Sequence, residues 1–186
     1  MMNVKGTALT TTRDFVKTRF PGKYNDWLNS LPPATKEFYT STLDATRWYP
    51  LRDAYLVPIK KVIDLCFEGN IPEGADTIGR YSADIALKGI YKVFLLVASP
   101  NYLIKRASKI FSTYYDPSEI NVIEQDSSKA VLRIMKFDDI DMALEYRIAG
   151  WIKRALELAN CSEPYYEFGK RLSEGDEYTD IRFGWS

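Results

Sequence analysis
Apolar side chains recur at steps of three and four over the first part of the chain and at steps of two over much of the last part. Leu9, Phe15, Val16 and Phe20 predict an amphipathic helix from Gly6 to Phe20, stopped by Pro21-Gly22. Two short helical pieces follow: "KYNDWLNSL" offers Trp27, Leu28 and Leu31 to a core, and "PPATKEFYTS" opens on prolines that a first helical turn tolerates. Leu51, Tyr55, Ile59, Val62, Ile63 and Cys66 predict a long helix from Pro50 to Phe67, kinked at Pro58. The helical spacing resumes from Ala75 to Ala98, with Gly89 as a break. Pro100 opens a further helix that turns Leu103, Ile104, Ala107, Ile110 and Phe111 inward and Lys105, Arg106 and Lys109 outward.

The period changes at Asp116-Pro117. "SEINVIEQD" and "KAVLRIMKF" read as a hairpin with its turn near Asp126 to Ser128. Asp138 or Asp139 then caps a helix running to Ala159, with Leu144, Ile148, Trp151, Ile152, Ala155 and Ala159 on one stripe. Alternation returns at Tyr166, Phe168 and Leu172, and again at Ile181, Phe183 and Trp185, almost at the last residue. Terminal residues are commonly polar and frayed, so this apolar ending predicts a buried strand, covered by the helix around Trp151. The fold class expected is α+β. A helical N-terminal part (1–115) packs on a four-stranded antiparallel sheet (116–186) in the order strand-strand-helix-strand-strand, the whole forming a single domain, 1–186.

Composition sharpens this picture chiefly by exclusion. A hydrophobic content of 46% suits a packed globule, and 25 basic against 25 acidic residues leave no net field to attract nucleic acid. Lys105, Arg106 and Lys109, although flanked by Tyr102, Tyr114 and Tyr115, read as the wet face of one helix. The opening residues lack a secretory pattern, and "GIYKVFLLVAS" falls short of the roughly 20 apolar residues a transmembrane helix needs. A cytoplasmic protein with no transmembrane segment is expected.

Histidine is absent altogether. That removes Ser-His and Cys-His nucleophile pairs, a His general base, and His ligation of metal or haem. There is no Walker A loop, no dinucleotide-binding glycine fingerprint, no CxxC pair and no EF-hand loop. Asp138, Asp139 and Asp141 are accounted for by helix capping, and Glu174, Asp176 and Glu177 by a solvated turn. No catalytic residue and no metal ligand is therefore nominated. Cys66 and Cys161 read as reduced thiols, and Gly150 beside Trp151 as a place where the sheet or a second subunit comes close.

The segments "VKGTALTTTRDFV", "TIGRYSADIALKGIYKVFLLVASPNYLIKRASKIFSTYYD", "YRIAGWIKRALELAN" and "LSEGDEYTDIRFGW" come in an order that resembles the haem-NO-binding-like superfamily. That superfamily also holds the 4-vinyl-reductase domain and the Bet3-type subunits of the TRAPP tethering complex. Within it the likeness is to an uncharacterised, mainly myxobacterial family. The resemblance implies a frequently dimeric α+β domain, in some members with an apolar cavity between helices and sheet. Haem held by a proximal histidine cannot carry over. A cysteine that accepts a fatty acyl chain in Bet3-type relatives invites comparison with Cys66, without a secure alignment to transfer the role.

Together these readings give two expectations of different class. The first is a non-enzymatic sensory domain, homodimeric through Gly150 and Trp151, holding an apolar or acyl-like molecule without haem or other cofactor; its pocket is lined by Tyr55, Cys66, Tyr91, Phe94 and Phe111. The alternative is a Bet3-like scaffold with no ligand, whose work is dimerisation and docking of a protein partner.

Overall fold
The computed structural model describes residues 1–87 and 99–186. Gly89, Tyr91, Phe94 and the helix expected over "GIYKVFLLVAS" lie outside the described residues. Strand β1 (Asn3–Lys5) runs directly into helix α1 (Gly6–Arg19). No side chain caps α1; its first amides are met instead by a loop, Gly6 N–H donating to the Arg47 carbonyl at 2.8 Å and Thr7 N–H to that of Ala45 at 3.0 Å. Helices α2 (Tyr24–Ser30) and α3 (Pro33–Thr40) follow, then β2 (Trp48–Pro50).

The helix expected from Pro50 to Phe67 forms in two parts, a π-helical turn at Arg52–Leu56 leading into α4 (Val57–Cys66). Pro58 has no N–H with which to meet the Ala54 carbonyl one turn earlier. The buried Tyr39 hydroxyl supplies the missing donor at 2.9 Å, and Trp27 Nε1 donates to the carbonyl of Pro58 itself at 3.0 Å. The kink thus ties α4 to α2 and α3.

Helix α5 (Ile71–Ala86) starts with a side-chain cap from Asn70, and α6 (Pro100–Tyr114) with one from Ser99. Next come β3 (Tyr115–Asp116), β4 (Glu119–Gln125), β5 (Lys129–Met135), α7 (Met142–Leu158), β6 (Tyr165–Phe168) and β7 (Thr179–Gly184). The architecture is the α+β one expected, with a four-stranded antiparallel sheet in the order β4-β5-β7-β6. The hairpin turns where the sequence placed it, the Asp126 carboxylate accepting from the amides of Ser128 and Lys129. Strand β7 is internal to the sheet, which is why the chain ends apolar: Ile181 and Phe183 are buried opposite Leu132 and Ala130, and Trp185 Nε1 donates to the Ser127 carbonyl at 3.0 Å.

Two features depart from expectation. Asp141, not Asp138 or Asp139, caps α7, accepting from the Leu144 amide at 3.0 Å. The preceding residues are held in a turn, Ile140 N–H to the Phe137 carbonyl, with the Phe137 ring buried, so the helix begins later. A second antiparallel sheet, β2-β1-β3, was also not foreseen. Strands of two or three residues are too short to show an alternation.

Helices α5 and α7 pack unusually closely. A Cβ on Gly79 would lie 2.2 Å from the Arg147 carbonyl oxygen, and one on Gly150 would lie 2.6 Å from that of Asp76. Gly150 therefore admits α5, rather than the sheet or a second subunit. An ion network laces the same contact: Arg80 and Arg154 both bond to the Glu157 carboxylate, and Arg154 also to Asp84. Burial alone would raise the Glu157 pKa, but the hydrogen bonds from Arg80 and Arg154 outweigh it and hold the carboxyl below its ordinary value.

Gly79→Ala is expected to destabilise the protein by about 1–3 kcal/mol in urea unfolding, overpacking outweighing the gain in helix propensity. A pH test follows from Glu157. A carboxyl whose folded pKa is depressed contributes stability above its unfolded pKa, about 4.3, and loses it as pH falls through the folded value. Urea midpoints measured downward from about pH 5 should therefore drop less steeply in Glu157→Gln than in the wild type.

Candidate functional site
Between the helical N-terminal part and α7 lies a cavity of about 50 Å³, lined among others by Thr7, Thr11, Ser82, Phe111, Tyr115, Arg147 and Trp151. The close α5–α7 contact sets two of its walls: Gly79 brings Ser82 and Arg147 together, and Gly150 positions Trp151, whose ring meets Phe111 edge to face at 5.3 Å between centroids. Apolar lining from Ala8, Ile110, Phe111 and Trp151 is interrupted by a few polar groups.

Most of those polar groups have already spent their protons. The Thr11 hydroxyl donates to the Thr7 carbonyl, the Thr7 hydroxyl to Ala45, and the Ser82 hydroxyl to Ile78. They remain as acceptors. Arg147 is the exception, a guanidinium only 5% exposed. Its Nη2 donates to Ser82 Oγ at 2.8 Å and its Nη1 to the Tyr115 hydroxyl at 3.4 Å, while Nε has no partner among the described residues. The guanidinium carbon stands 4.8 Å from the centre of the Tyr55 ring. Tyr55 is wholly buried, its hydroxyl makes no hydrogen bond of good geometry, and burial pushes its pKa well above the ordinary phenol value. No carboxylate pairs with Arg147 among the described residues.

Two residues earlier on the same helix, Glu145 shows what a satisfied buried charge looks like. It is fully buried, forms an ion pair with Arg171 at 2.8 Å, and accepts from the Ser173 amide and the Thr179 hydroxyl. Glu174 and Asp176, expected in a solvated turn, join this cluster: Glu174 bonds to Arg171 Nη1 at 3.1 Å and Asp176 accepts the Arg171 amide at 2.7 Å.

Of the residues nominated from sequence, Phe111 and Trp151 line the cavity and Tyr55 stands behind Arg147. Tyr91 and Phe94 lie outside the described residues. Cys66 ends α4, half-buried, and is not in the cavity wall; burial pushes its thiol pKa up, partly offset by Lys23. Trp151 faces inward, buried against its own chain. Arg147, Ser82 and the threonines were missed. One signal for Arg147 was present, since it falls on the apolar stripe between Leu144 and Trp151, where an arginine has no solvent to reach.

The fold and this cavity are those of an α+β domain with an internal polar site, and the comparisons with known proteins fit that class. No family model matches the chain, and no curated protein does. Solved structures do match. An H-NOX protein from S. oneidensis in the Fe(II)NO ligation state superposes with a TM-score of 0.73 at 12% identity, covering 98% of this chain and 99% of the other. The Fe(II) unliganded H-NOX protein from K. algicida gives 0.71 at 13% identity, covering 98% and 96%. The chain therefore shares the H-NOX, or haem-NO-binding, fold.

This corrects the expectation of a chain without a cofactor. The H-NOX proteins that share the fold are in Fe(II), Fe(II)NO and Fe(II)CO ligation states. A missing histidine removes only one axial ligand, because tyrosine, cysteine and methionine also ligate haem iron. Among the described residues the side chains of that type in the cavity wall are Tyr114 and Tyr115, with Tyr55 behind Arg147; neither thiol lines it. The space itself does not fit a porphyrin with these walls as they stand, and among the described residues no three His, Cys, Asp or Glu side chains gather to hold a metal.

The raised pKa of Cys66 has a direct readout. Its alkylation by iodoacetamide should run slower than that of a free cysteine peptide at pH 8, and the rate should reach half its maximum at a higher pH than for the peptide.

Proposed function
We propose that this chain is a non-enzymatic sensory domain that takes its ligand in the cavity between the helical part and α7 and reports through α7. The observation that carries the reading is the placement of a buried, incompletely bonded Arg147 inside a cavity at the junction of the two parts of an H-NOX-like fold. Buried polar donors left without partners are costly, so a fold that keeps one beside open space is organised for a guest. The link to an output is the helix itself. Arg147 and Trp151 face the cavity, and Glu145 grips the Arg171–Thr179 loop that leads into β7. A guest that shifts Arg147 moves the residue holding that loop.

The test is native mass spectrometry of freshly purified protein, with a denaturing spectrum and an absorption spectrum of the same sample. A non-covalent mass is expected in the wild type, lost on denaturation and absent from Ala8→Phe, whose ring fills the cavity. A Soret band would identify that mass as a porphyrin, and its absence as another molecule. Identical masses for the wild type and Ala8→Phe would overturn the reading.

A further inference from the structure
From the same cavity, and resting on the reading of it as the ligand seat, we infer that Arg147 makes it a receptor for one small planar oxyanion of carboxylate or nitrate type. A guanidinium carries five N–H donors, and among the described residues the hydrogen bonds of Arg147 use two of them, on two neutral hydroxyl oxygens. Its charge is met by no carboxylate among the described residues, and positions 88–98, outside the description, include no Asp or Glu that could supply one. An isolated buried cation is costly, and proteins pair such charges or leave them in contact with a counter-ion.

The surroundings select the guest. Thr7, Thr11 and Ser82 have committed their hydroxyl protons to backbone carbonyls, so they offer no competing donor set for a multiply charged anion. Tyr115, whose oxygen accepts from Arg147, keeps its own proton to donate. A single cation suits a monovalent oxyanion, and the planar guanidinium edge matches a planar O–X–O group. A single water needs roughly 10–15 Å³ of such space. The cavity, at about 50 Å³, therefore holds a guest of a few heavy atoms, and Ala8, Phe111 and Trp151 leave room for a methyl group on it.

Thermal unfolding and isothermal titration calorimetry of the purified chain, dialysed into an oxyanion-free buffer, test this with sodium acetate, sodium nitrate, sodium chloride and neutral acetamide as probes. Saturable binding with a rise in Tm is expected for acetate, for nitrate or for both, the stronger of the two identifying the class; chloride and acetamide should do nothing saturable. Arg147→Met should abolish the binding and, without anion, melt above the wild type because an uncompensated buried charge has gone. Ala8→Phe should also abolish it while leaving the charge in place, which keeps the test decisive if Arg147→Met does not fold. Equal responses of the wild type and Ala8→Phe would place the ions elsewhere and overturn the inference. No response to any oxyanion, alongside a native mass that Ala8→Phe excludes, would overturn the oxyanion and leave the ligand seat standing.

Discussion
The close approach of α5 to α7 is the constraint from which the rest of this structure follows. Each helix contributes one glycine at the point where the other's backbone passes, Gly79 against Arg147 and Gly150 against Asp76. With no side chain between them the helices come within backbone contact, and the small residues Ala75, Ala83 and Ala149 on the same two helices are buried. The approach fixes the rotation of α7 about its own axis. Once that rotation is set, Trp151 and Arg147 must face the helical part, and Glu145 must face the loop before β7.

Glu145 and Arg147 sit two residues apart, so a helix points them to nearly opposite sides. Both are buried, and their surroundings treat them differently. Glu145 receives an arginine, a backbone amide and a hydroxyl, a set that balances its charge and fastens α7 to the sheet-bearing part. Arg147 receives two neutral oxygens and an aromatic face, which orient it without balancing it. A fold under selection for stability alone replaces such a cation with an apolar side chain of similar volume at little or no cost.

The elements were legible in the sequence wherever burial imposes a period. The β4–β5 hairpin could be placed because "KAVLRIM" alternates and Asp126 supplies the turn chemistry, and α7 because its apolar stripe persists for several turns. Its first residue was harder, since three aspartates compete for the cap and only the burial of Phe137 decides among them. The small β2-β1-β3 sheet was invisible, because its strands pair residues 43 or more positions apart and none is long enough to alternate. The site was legible only in part for the same reason. Phe111 could be taken from aromatic content and helical face, whereas Trp151, which also lines the cavity, was read as an interface residue. The Ser82–Arg147 bond joins residues 65 positions apart and depends on two glycines whose purpose is clear only once the helices are packed.

What the chain shares with H-NOX proteins is the arrangement of elements, at 12–13% identity and over nearly its whole length. Such likeness shows the fold and not a ligand, because function resides in the side chains that a fold presents at its site. Here those side chains form an unusual set. Histidine is missing from the entire chain, both cysteines stand away from the cavity, and the strongest group facing it is a cation. Tyr55 and Tyr115 reinforce that character, since a phenol beside a guanidinium presents a second donor rather than a base, and burial keeps the Tyr55 proton in place. The wall thus sets one guanidinium beside three hydroxyl oxygens that remain as acceptors, with an apolar side from Ala8, Phe111 and Trp151.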